Sequence, residues 1–109
     1  MSRLIDILQQ PEGRRLEFKS DLPTSADLAK TIVSFANDAG GELYLGVDDK
    51  TREVLGVDED RLIELEEKIN NIVTDQCAPV ILPEITFLRH ENRHIVKTKI
   101  YKGSAPPYI

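Results

Sequence analysis

Between residues 25 and 47 the hydrophobic period switches from that of a helix to that of a strand, with two glycines at the junction. That switch limits the fold more than any other feature of the chain. Leu28, Ile32 and Phe35, flanked by Ala29, Val33 and Ala36, mark the buried stripe of a helix predicted over 25–38. Thr24 with Asp27 three positions on supplies a capping-box start. Gly40 suits a left-handed stop, and Gly40-Gly41 lets the chain turn tightly into "GELYLGVDD". In that strand Leu43, Leu45 and Val47 take one face and Tyr44 the other. Gly46 inside it predicts a bulge or a close backbone approach.

The same two periods recur along the chain. "SRLIDILQQ" places Leu4, Ile7 and Leu8 at helical spacing before Pro11. "RLEFKS" alternates, with Leu16 and Phe18 on one face and Glu17 and Lys19 on the other. After a "DKTR" turn, "EVLGV" pairs back as a short strand. Asp58 caps a second long helix, over 59–76, whose stripe is Leu62, Leu65, Ile69 and Ile72, with a Glu64–Lys68 pair on its surface. Pro79 ends that helix near Gln76 or Cys77. "EITFLR" and "HIVKTKIY" form a hairpin about Asn92-Arg93. It turns Val96, Thr98 and Ile100 one way and Lys97, Lys99 and Tyr101 the other. Strands mixed with two long helices give an α+β (mixed α/β) class. The sheet is largely antiparallel and packs with the two main helices and a short N-terminal one. The core is expected from Leu16, Phe18, Leu43, Leu45, Val47, Val96 and Ile100 on those helices.

The chain has 109 residues, the length of one domain. At 40% apolar and 30% charged residues it is ordinary globular material. Its single cysteine, Cys77, has no partner for a disulfide, which points to a reducing cytoplasm. The apolar runs are too short for a membrane span or a signal peptide. The net charge of −5 conceals an asymmetry. Residues 1–88 hold nine basic against eighteen acidic side chains, −9, and residues 89–109 hold five against one, +4. An acidic chain is a poor general binder of nucleic acid, but a basic terminal segment supplies a local patch.

Taken together, "EGRRLEFK", "SFANDAGGELYLGVDD" and "VLGVD" resemble a known family, the Schlafen-like, AlbA-type domain. DNA binding is ascribed to that domain, and it stands at the N-terminus of many bacterial proteins ascribed to transcriptional regulation. The residues that carry the resemblance are Glu12, Glu17, Phe18, Lys19, Phe35, Ala36, Asn37, Gly40, Gly41, Gly46, Val47, Asp48 and Gly56, and it extends over roughly residues 10–109. Gly13 departs from the pattern, standing where a serine often follows the first glutamate. The pattern also continues past "PPYI" with further strand sequence, so the chain reads as a single domain of a longer regulator whose C-terminal region is absent. A sheet edge left unpaired there makes a homodimer one expectation.

Two candidate sites follow. The first is a basic strand face of Lys97, Lys99 and Lys102, joined by Arg14 and Arg15, to meet phosphate, with Tyr101 to stack a base. The second is a carboxylate cluster. The resemblance extends to eukaryotic Schlafen proteins with a three-carboxylate RNA-cleaving site. Matching positions imply Glu12, Glu17 and Asp48 as catalytic carboxylates and metal ligands for Mg²⁺ or Mn²⁺, with Lys19 as the balancing charge. Against this, Glu17–Lys19 is equally readable as a surface pair, and Asp48 as a turn residue. Asn37 reads as a C-terminal cap or turn residue, or as a group orienting the Glu17 strand or touching a ligand. His90 and His94 read as exposed. No Gly-Lys-Ser/Thr phosphate loop is present. The function expected is nucleic-acid association, in a domain more readily a binder than an enzyme. A metal-dependent nuclease is the alternative.

Overall fold

The structure, a computed structural model, describes residues 4–109. Helix α1 (Leu4–Leu8) leads to strand β1 (Leu16–Lys19), helix α2 (Ser25–Asn37) and strand β2 (Gly41–Leu45). A 3₁₀ turn at Glu59–Arg61 opens helix α3 (Leu62–Gln76), and β3 (Glu84–His90) and β4 (Arg93–Ile100) complete the fold. The sheet runs β1-β2-β4-β3. β1 is parallel to β2, across the α2 connection, and the other two pairings are antiparallel. This is the α+β, mostly antiparallel architecture expected, with two main helices and a short N-terminal one.

Local chemistry explains the element ends. Thr24 Oγ1 accepts from Asp27 N at 3.2 Å at the start of α2. At its far end Gly40, at φ +86°, donates back to Phe35 O. Asp58 makes no side-chain cap bond, and the 3₁₀ turn takes up the start of α3 instead. The hairpin turns at Glu91-Asn92, one residue earlier than expected, with φ of +50° and +65° and His90 opposite Arg93. Two left-handed central residues are what a two-residue hairpin of native twist requires. "EVLGV" does not form a strand. It makes single bridges, Val47–Val54 and Val57–His94.

The sheet carries a buried apolar cluster on each face. Leu43, Leu45, Val96 and Ile100 pack on α2 and α3, with Leu28, Ile32, Leu65 and Ile69. Leu16 and Phe18 do not join them. They lie on the opposite face with Ile7, Tyr44, Val47 and Ile95. The register decides this, because Phe18 stands beside Tyr44 and Leu16 beside Glu42. Val47 also sits on this second face, against the alternation. Gly46 N and Val47 N both donate to Lys19 O, at 2.8 and 3.2 Å, so two residues oppose one in a bulge and the side chain after it is turned over. Gly46 adopts φ +103° there, with Gly56 and His94 backbone packed where a Cβ would stand.

Candidate nucleic-acid interface

The register places the two sequence candidates on opposite sides of the sheet. Glu42 pairs with Lys99 and Tyr44 with Lys97, so both lysines share the Leu16–Phe18 face. Glu17 and Lys19 pair with Leu43 and Leu45 and lie on the helix face, at its edge.

On the first face, at the end where β2 begins and β4 finishes, lies an open depression of about 530 Å³. Arg15, Lys99, Lys102 and Tyr101 line it, together with Gln10 and Glu42. Lys99 Nζ stands 4.8 Å from the Tyr101 ring centre, and Tyr101 Oη donates to Glu84 at 2.9 Å, which fixes the ring's direction. Glu42 is the acidic member and is already engaged. It accepts from Tyr44 Oη at 3.0 Å and pairs with Lys97 Nζ at 3.3 Å. Burial, then the Glu42 charge, pushes the Tyr44 phenol well above its ordinary range. Lys97 is therefore partnered beside the depression, and Arg14 faces Asp38 at 3.1 Å. Arg15, Lys99 and Lys102 make no ion pair among the described residues. Sequence reasoning missed Gln10 and Glu42. Glu42 had a signal, since it alternates with Tyr44.

The carboxylates are separated in use. Glu12 Oε2 accepts from Phe18 N at 2.9 Å. Glu17 lies 3.8 Å from Lys19 Nζ. Burial, then the neighbouring Glu12, raises the Glu17 carboxyl, with Lys19 opposing. Asp48 Oδ1 accepts from Lys50 N and Thr51 N at 2.9 and 2.8 Å. These bonds hold its carboxyl below the ordinary value. Asp49, not Asp48, is the further acid felt by Glu17. Among the described residues no three His, Cys, Asp or Glu side chains gather as a metal's donor set. One oxygen of Glu12 and one of Asp48 are thus engaged by backbone amides.

Among the described residues the side-chain hydrogen bonds of Asn37 go to the backbone of Tyr108 and to neither the end of α2 nor β1. His94 is half-buried rather than exposed, with Nε2 3.8 Å from Glu59, and His90 is intermediate. Among the described residues no helix is long and apolar enough to cross a membrane.

The fold and this basic depression define a small α+β domain with a four-stranded mixed sheet. The Schlafen, AlbA_2 family model matches residues 12–109, and the chain belongs to that family. Solved structures agree on the fold. The N-terminal domain of a Nitrosomonas europaea protein whose name relates it to the ATP-dependent DNA helicase RecG superposes with a TM-score of 0.69 at 20% identity, over 94% of this chain and 74% of that one. The DIP2311 protein of Corynebacterium diphtheriae gives 0.64 at 16% identity, again over 94% of this chain. The chain spans 25% of that protein's length.

Proposed function

We propose that this domain associates with nucleic acid through the depression lined by Arg15, Lys99, Lys102 and Tyr101, as one module of a bacterial transcriptional regulator. The convergence of three cationic side chains, without ion-pair partners among the described residues, and an exposed tyrosine on one open hollow carries the reading. The cations meet phosphate oxygens, and Tyr101, 55% exposed, offers a ring face for a base. The RecG-related name of the Nitrosomonas protein is consistent with this, at the level of a domain used in DNA-associated proteins.

The test is fluorescence anisotropy with labelled RNA and single- and double-stranded DNA across a salt series. Binding is expected to weaken steeply with salt, and Lys99→Ala and Lys102→Ala each to reduce the log–log slope by about one. No binding at about 50 mM salt to any of the three, or binding indifferent to both substitutions, overturns the reading. The alternative, a metal-dependent nuclease, rests on the proximity of Glu12 and Glu17 alone. Cleavage of the same substrates during an Mg²⁺ or Mn²⁺ titration, abolished by Glu17→Gln, would establish it.

A further inference from the structure

The two edges of the sheet are treated differently. At the β1 edge three outward backbone groups, both of Leu16 and the N–H of Phe18, are taken within the chain. Gly13 exchanges hydrogen bonds with Leu16, and the Glu12 carboxylate accepts from Phe18 N. At the other edge β3 has a strand neighbour on one side only.

The hairpin reveals which β3 groups face outward. In a two-residue turn the closing residues, His90 and Arg93, bond to each other. Bonded and non-bonded pairs then alternate, so Leu88, Thr86 and Glu84 also point their N–H and C=O groups at β4. Those of Ile85, Phe87 and Arg89 point outward, and no partner for them exists among the described residues. Phe87, which opposes Val96 on the helix face, is 38% exposed at this edge.

We propose that β3 is a self-association edge that pairs antiparallel with β3 of a second copy about a two-fold axis at Phe87. This register uses the whole strand. It sets Phe87 against Phe87, Ile85 against Arg89, Thr86 against Leu88 and Glu84 against His90. The outward groups of residues 85, 87 and 89 then meet those of 89, 87 and 85, and each pair exchanges both hydrogen bonds. No like charges stand opposite one another, and the two aromatic rings meet at the axis on the helix side. A strand that repelled its own copy would carry the reverse pattern, with charges of one sign matched across the axis. A two-fold perpendicular to the sheet gives one continuous sheet and opens both basic depressions on the same side. The pairing itself does not depend on what those depressions bind.

Sedimentation velocity of the intact chain from about 1 µM to about 1 mM is expected to show a monomer–dimer equilibrium. Phe87→Lys puts two like charges at the axis and should weaken association about tenfold or more, with circular dichroism and thermal unfolding unchanged at about 1 µM, where both proteins are monomers. Hydrogen exchange reads the register directly. The amides of Ile85, Phe87 and Arg89 should exchange quickly at low concentration and slowly at high concentration, while those of Thr86 and Leu88 stay protected at both. A strict monomer over this range overturns self-pairing and leaves the edge to a strand of different sequence. A dimer that ignores Phe87→Lys, with the 85, 87 and 89 amides still exchanging quickly, overturns it as well.

Discussion

The side-chain amide of Asn37 makes both hydrogen bonds to the backbone of Tyr108. Nδ2 donates to Tyr108 O at 3.1 Å, and Oδ1 accepts from Tyr108 N at 2.6 Å. One side chain at the end of α2 thus acts as a short strand for a residue 71 positions away. The segment is further held by the buried Tyr108 side chain and by paired bonds between Ala78 and Ile109.

Replacing Asn37 by Asp keeps the acceptor but removes the donor and turns a carboxylate toward the Tyr108 carbonyl. Asn37→Asp is expected to cost about 1–2 kcal/mol in urea unfolding, and Asn37→Ala about 1 kcal/mol. Amide exchange at Ile109 should accelerate in both. Unchanged stability and exchange would show that the segment is held by Tyr108 packing alone.

Thr98 is fully buried on the helix face, and its hydroxyl has no hydrogen-bond partner among the described residues. The unpaired hydroxyl costs folding free energy that an apolar side chain of the same shape would not. Thr98→Val is expected to stabilise the domain by about 1 kcal/mol in denaturant titration. Leu45→Ala, at a neighbouring and equally buried site, should cost about 2–5 kcal/mol by leaving a cavity.

Arg52 holds α1 in place. Its guanidinium lies 4.2 Å from the Phe18 ring centre and donates to Leu8 O and Gln10 O. Arg52→Lys keeps the charge but loses the planar fork that reaches two carbonyls while stacking on a ring. It should lose about 1–2 kcal/mol, and the amides of residues 4–10 should exchange faster than those of β4. A uniform change in exchange across the domain would contradict a local role.

Glu17 sets a pH dependence. Its folded value is raised above the ordinary 4.5 by burial and by Glu12. The folded state therefore holds the proton more tightly than the unfolded state, and stability falls as pH rises. The contribution of this group is fully present below 4.5 and lost as pH rises through the folded value. Glu17→Gln should stabilise the domain at pH 7 by less than about 1 kcal/mol, since the Lys19 pair is lost with the charge. The gain should vanish at acid pH. A gain that persists at acid pH would assign it to something other than ionisation.

The local elements were legible in the sequence because their signals are short-range. The Leu28–Ile32–Phe35 stripe, the Gly40 stop, the Glu64–Lys68 pair at 2.8 Å and the alternation of Val96, Thr98 and Ile100 against Lys97 and Lys99 all recur in the structure. The family too was legible, through motifs spread over most of the chain. Strand pairing decided the rest. Alternation tells which residues share a face but not which face meets the helices, and only the β1–β2 register puts Leu16 and Phe18 on the layer away from them. A single bulge at Gly46 then turned Val47 over, which no local period encodes. The candidate sites depended on the same register. It brought Arg15 to Lys99, Tyr101 and Lys102 across long sequence separations, and it put Glu17 and Lys19 on the far side of the sheet. Asp48 was drawn into its own turn, because neighbouring amides reach a carboxylate at a turn before any distant residue does.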